Sequence, residues 1–97
     1  MAGHSVVDNR DLHRFETTVD GHVAFLDYAQ QSDRLVLVHT EVPEELEGHG
    51  VGGELVQFAI DFADAHAFTV IPRCPFARAW LERHPDEAER VTIEVPT

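Results

Sequence analysis

Apolar and polar side chains begin to alternate at Arg14. Phe15, Thr17 and Val19 fall on one parity and Glu16 and Thr18 on the other, which predicts a β-strand. Asp20-Gly21 follows, and over residues 22–29 Ala24, Leu26 and Tyr28 then oppose Val23 and Phe25. Asp-Gly between two alternating runs predicts a hairpin, because both central positions of the favoured tight turn need positive φ. A second turn over residues 30–33 leads into 34–42, where residues 35–38 are apolar on both parities. Such a strand is central in its sheet, with layers in front and behind. Pro43 ends it.

The period then changes. After the loop Glu44-Glu45-Leu46-Glu47 and the cluster Gly48-His49-Gly50-Val51-Gly52-Gly53, Leu55, Val56, Ala59, Ile60 and Ala63 repeat at helical spacing to about His66. Glu54, Gln57, Asp61 and Asp64 form the opposite face, and Phe58 and Phe62 widen the apolar one. Residues 68–72 read as a short strand, and the strand–helix–strand order predicts a parallel pair with the strand of 35–42, joined by a right-handed crossover. A second helix is predicted over residues 76–84, started by Pro75, ended before Pro85, with Ala77, Trp80, Leu81 and His84 on one side. Residues 91–95 alternate and predict an edge strand. Residues 1–12 carry no periodicity and predict a flexible leader, leaving residues 13–97 as one domain.

Composition narrows what such a domain can serve. A chain of 97 residues buries roughly 60–65% of its unfolded surface, enough for one two-layer core. No apolar run approaches the ~20 residues of a membrane span, and the N-terminus lacks the basic start and apolar stretch of a signal peptide. The single cysteine excludes an internal disulfide and fits a reducing cytoplasm. The formal net charge is -11, and all 7 basic residues are arginine. That balance excludes nucleic acid as a partner, because phosphate backbones demand a positive footprint, and it favours amines or basic peptides. The histidines show no metal-ligand spacing, so no metal is expected.

A glycine cluster between a strand and a helix is suited to an anion, since the first helical N–H groups have no partner within the helix and the dipole adds positive potential. Gly48, Gly50 and Gly53 match the letters of the dinucleotide-binding turn. The context does not: five residues separate the strand from Gly48, an antiparallel hairpin precedes it, and no acid ends the next strand to hold a ribose. A P-loop is excluded because no Gly-Lys-Ser/Thr is present. What remains is a pyrophosphate loop that opens a helix.

Three segments, HTEVP at 39–43, LEGHGVGGELV at 46–56 and IPRCPFARAWLERHPDE at 71–87, resemble the short stand-alone branch of the GNAT N-acetyltransferase superfamily over residues 14–91. The resemblance implies an α/β domain with a mixed, mostly antiparallel sheet, one parallel strand pair and two main helices. It also implies an acetyl-CoA-dependent N-acetyltransferase, with acetyl-CoA lying in a splay between the two parallel strands. The pantetheine arm would follow Glu41 and Val42, and the pyrophosphate would meet Glu47, Gly48, His49, Gly50, Val51, Gly52 and Gly53. Larger relatives carry arginine or glutamine where this chain has Glu47, which predicts modest, salt-sensitive CoA affinity.

Catalytic candidates are Cys74 and His39. An unperturbed thiol is only about 3% thiolate at pH 7, so a nucleophilic cysteine wants an imidazole or a helix N-terminus beside it. Cys74 precedes the second helix, and His39 sits near the end of the neighbouring strand. The resemblance implies a role for the thiol as acyl acceptor or as acid, while the residue alone reads more readily as a small buried apolar group. Glu41 or His39 is a candidate base for the amine proton. The alternative function is a CoA-binding module with little or no transferase activity, because a domain this small lacks the elements with which larger relatives wall off the acceptor, a small amine or a peptide.

Overall fold

The computed structural model describes residues 4–96. Its sheet has five strands in sequential order: β1 (Val7–Asn9), β2 (Arg14–Val19), β3 (His22–Gln31), β4 (Arg34–Glu41) and β5 (Thr69–Pro72). The first four pair antiparallel, and β4 pairs with β5 in parallel, Leu35 opposite Val70 and Leu37 opposite Pro72. Helix α1 (Val51–His66) makes the crossover between them, and α2 (Pro75–Arg83) and α3 (Pro85–Ala88) follow. This is the α/β architecture expected, a mixed sheet with one parallel pair and two main helices.

The hairpin forms where Asp20-Gly21 demands it, with φ of 52° and 81° at the two turn positions and Val19 paired with His22. The alternation then sorts side chains by face. Phe15, Thr17, Ala24, Leu26, Tyr28, Leu35 and Leu37 are buried, against Leu55, Val56, Ala59, Ile60 and Ala63 of α1 and Ala77, Trp80 and Leu81 of α2. Each large apolar side chain taken fully out of water contributes about 1.5–3 kcal/mol, so this layer is the dominant stabilising term. Phe15 stacks on Tyr28 at 4.4 Å between ring centroids and meets Phe58 and Phe62 at 5.1 and 5.4 Å. Arg90 ties α3 to α1 through Asp61 at 2.8 Å, Asp64 at 3.0 Å and Glu87 at 2.7 Å.

Three expectations are corrected. Residues 4–12 are not a loose leader: β1 pairs with β2, the Tyr28 hydroxyl donates to Asp8 Oδ1 at 2.6 Å, and Thr17 Oγ1 donates to the Ser5 carbonyl at 2.6 Å. Residues 1–3 lie outside the described residues. The 91–95 strand shrinks to a single parallel bridge between Val70 and Ile93. Val70 N–H donates to Thr92 and Glu94 N–H returns to Val70, but the next rung would need an N–H from Pro72, which has none. The strand of 35–38 is also not covered alike front and back. Helices cover the face of Leu35 and Leu37, whereas on the other side Val36 is buried at 7% but Val38 and Val23 are 45% and 38% exposed. There the Arg14 guanidinium lies 4.5 Å above the Phe25 ring.

Burial, with the Asp8 carboxylate adding to it, pushes the Tyr28 hydroxyl up to about 12. Between the unfolded value near 10 and that folded value of about 12, the unfolded chain releases the proton first, so stability falls as pH rises through this window. Tyr28 is the sole tyrosine, so tyrosinate absorbance reports it alone, and the expected midpoint in the folded protein is well above 10. Tyr28→Phe should lose about 1 kcal/mol with the Asp8 bond and remove the alkaline slope. A Tyr28 midpoint at the value of free tyrosine contradicts this packing.

Candidate functional site

Two backbone events open the sheet between β4 and β5. Arg73 N–H bonds back to the Ile71 carbonyl at 3.1 Å, a γ-turn that swings the chain out of the strand and into α2. Arg73 and Cys74 N–H both also donate to the Leu37 carbonyl, at 3.0 and 2.9 Å. The ladder ends there, while β4 runs on to Glu41 without a partner on that side. The second event is a bulge in β4: Tyr28 faces Leu37, yet Asp27 faces His39. One extra residue resets the alternation. Thr40 therefore shares the helix-covered face with Leu37, and by the same alternation its backbone, with that of Val42, is turned toward the open side.

This reset decides which side chain meets the cysteine. Thr40 Oγ1 lies 3.1 Å from Cys74 Sγ, and Cys74 is only 2% exposed. His39 does not pair with Cys74 as the sequence suggested. It lies on the outward parity, its Nε2 2.8 Å from Glu41 Oε1, with both side chains 57% exposed. The alternation rule could not reveal this, since the bulge is a feature of register with β3 and leaves no mark in the polarity of Val38 and His39.

The glycine cluster divides its labour. A short 3-10 turn at Glu44–Leu46 buries Leu46, and Gly48 and Gly50 then take φ of 85° and 74°, values that any Cβ disfavours. Gly52 and Gly53 serve contact instead. A Cβ on Gly52 would stand 2.7 Å from Phe76 Cζ, and one on Gly53 would stand 2.9 Å from Trp80 Nε1. The glycines thus let α2 press against the first turn of α1. At that turn Gly50 is the N-cap, no side chain caps the helix, and the first backbone bond is from Glu54 N–H to the Gly50 carbonyl at 3.1 Å. Val51, Gly52 and Gly53 N–H have no partner among the described residues. His49 N–H, expected among the anion donors, is already bonded to the Leu46 carbonyl at 3.3 Å. The Glu54 carboxylate accepts from His4 N–H at 2.7 Å and lies 3.0 Å from its Nδ1.

The open strand edge and the glycine turn enclose a cleft of ≈ 350 Å³ lined by Thr40, Val42, Leu46, Glu47, Gly48, Gly50, Val51, Gly52, Gly53 and Phe76. Seven of those ten positions were expected from the sequence. Glu41, His49, His39 and Cys74 lie outside the lining, and Thr40, Leu46 and Phe76 join it. Leu46 left a signal, as the one apolar residue in EELEGHG, and so did the aromatic residue after Cys74-Pro75. A larger depression of ≈ 570 Å³ at Arg10, His13, Tyr28, Ala29, Gln30 and Gln31 adjoins the other end of β4, where Gln30 faces Leu35. It shares no residue with the glycine cleft. Among the described residues no group of three metal-ligating side chains gathers, and no helix is long and apolar enough to cross a membrane.

Comparison with known proteins agrees with this fold. The family model described as GCN5-related N-acetyl-transferase matches residues 14–91. Among solved structures, the solution structure of a GCN5-like protein from Staphylococcus aureus, proposed to be an N-acetyltransferase, superposes with a TM-score of 0.73. The match covers 100% of this chain and 94% of that one at 22% identity, a likeness of fold.

Substitution separates the two contact glycines. Alanine is ordinarily preferred to glycine in a helix by roughly 1 kcal/mol, but Trp80 is 7% exposed and has no room to move, whereas Phe76 is 40% exposed and can swing out. Gly53→Ala should therefore destabilise by about 1–3 kcal/mol through overpacking, and Gly52→Ala should be close to neutral. Thermal melts of the two variants check this, and a raised Tm for Gly53→Ala would contradict it.

Proposed function

This chain belongs to the GCN5-related N-acetyltransferase family, and on that premise we propose that it transfers an acetyl group from acetyl-CoA to an amine. The observation that carries the reading is the junction of an unpaired strand edge with three free helix N–H groups in one cleft. The first phosphate of the donor's pyrophosphate fits Val51, Gly52 and Gly53 N–H, where the dipole of a 16-residue helix adds to the donors. The pantetheine arm, an amide chain, fits the open edge of Thr40 and Val42 as an added strand would. A backbone N–H of that edge can polarise the thioester carbonyl, as an oxyanion donor does.

The base stands on the other side of the opening. With His39 Nε2–H donating to Glu41 Oε1, Nδ1 keeps the lone pair that takes a proton from the attacking amine. The C–N bond forms, the C–S bond breaks, and the thiol of CoA leaves with a proton from solvent. A chain of net charge -11 draws a cationic acceptor toward it. Cys74 is buried and outside the cleft lining, which supports direct transfer over an acetyl-cysteine intermediate.

One observation favours a second reading, a CoA-binding module with little transferase activity. The cleft lining includes neither imidazole nor thiol, and His39 is 57% exposed with no wall around it. The two readings part when amines are supplied. A transferase should acetylate at least one of a polyamine, a lysine peptide and a small aromatic amine above background, while a module binds CoA and does not.

Calorimetry with CoA at low and high ionic strength should show binding that responds to salt, and no binding at either would overturn both readings. Intact mass after incubation with acetyl-CoA should be unchanged, and an added acetyl group that disappears in Cys74→Ala would establish the covalent route instead. For the amine acetylated, His39→Ala should lower kcat by about 100-fold or more with KM for acetyl-CoA unchanged. Full activity in that variant would remove His39 from the chemistry.

A further inference from the structure

The cleft's charge is unusual for a site that would hold a nucleotide. Its one ionisable lining residue is Glu47, and Glu44 and Glu45 stand exposed just before it. No arginine lines the cleft, and five of the seven have partners elsewhere. Arg10 pairs with Asp8, Arg14 with Glu16, Arg34 with Glu94, and Arg90 with Asp61, Asp64 and Glu87. Arg78 donates to the Pro72 and Arg73 carbonyls, both at 3.3 Å. Arg73 lines a different depression with Gln31, Val36 and Ile71, and Arg83 stands in the last turn of α2, two turns beyond Phe76.

Three N–H groups at one helix end can hold one phosphate group, and a further phosphomonoester needs a cation of its own or remains in water. Near Glu47, water is the better place for it. Meanwhile Val42, Leu46, Val51 and Phe76 offer an apolar wall, and the strand edge of Thr40 and Val42 offers amide pairing. These contacts suit the part of the donor between the thioester and its first phosphate.

We propose that this site reads its donor as an acyl-phosphopantetheine, and that the adenosine and its 3′-phosphate add almost nothing to recognition. The proposal rests on the acetyl-CoA reading above and extends it to donor specificity. Glu47 is then the residue that sets the boundary, by repelling whatever negative charge lies beyond the first phosphate.

The test compares binding of CoA, dephospho-CoA and 4′-phosphopantetheine to the full chain by calorimetry at one ionic strength. The expected dissociation constants lie within about threefold of one another, under 1 kcal/mol. A weakening of about tenfold or more on losing either the 3′-phosphate or the adenosine overturns the proposal while leaving the CoA site standing. If CoA itself does not bind, the reading beneath the proposal falls with it. Glu47→Arg, at an exposed position, should tighten CoA by about tenfold and 4′-phosphopantetheine by about threefold or less, since the charge beyond the first phosphate is present only in CoA. Equal gains for both ligands would contradict the role given to Glu47.

Discussion

Everything at the site follows from the Leu37 carbonyl. It takes N–H groups from both Arg73 and Cys74 and so closes the parallel ladder at the point where β5 turns into α2. Without that closure the strands would run on side by side and satisfy each other's backbone groups. With it, β4 carries a bare edge beyond Leu37, on an otherwise paired sheet, and backbone groups at such an edge call for a partner. The bulge opposite Asp27 then turns Thr40 inward and leaves His39 and Glu41 outside. A single register shift thereby places Thr40 beside Cys74 and sets His39 and Glu41 on the opposite side of the strand.

The glycine turn is held to this opening by packing. Gly52 and Gly53 bring Phe76 and Trp80 of α2 onto the first turn of α1, and α2 is itself placed by the turn that follows Pro72. The strand edge and the helix N-terminus are two ends of one packed unit, so their spacing is fixed by a core that includes Ala77, Trp80 and Leu81. Anion binding needs only unpartnered N–H groups, but their aim depends on this contact. An acidic surface repels anions, so the proposed CoA ligand would draw on backbone donors and apolar lining.

Much of this was legible in the chain. Asp20-Gly21 demanded its hairpin, the helical period of 55–63 demanded α1, and the strand–helix–strand order demanded the parallel pair. The glycine loop was legible as a turn that opens a helix because its position relative to strand and helix is a local matter. What escaped was set by partners distant in sequence. Val7–Asn9 has no pattern of its own and is a strand only because β2 offers an edge and Tyr28 reaches Asp8. Residues 91–95 have the pattern and lack the ladder, because Pro72 stands in the neighbouring strand. The pairing of Cys74 with Thr40 in place of His39 turns on a bulge that exists only in the pairing with β3.

The central claim is that the open edge of β4 and the first turn of α1 form one ligand site. An NMR titration of the amide-labelled chain with CoA tests it most directly. The account predicts that the largest shifts fall on the N–H groups of Val51, Gly52 and Gly53 together with Thr40 and Val42, with Gln30 and Gln31 unmoved. Shifts confined to Arg10, His13 and residues 28–31, around the larger depression at the opposite end of β4, would contradict it.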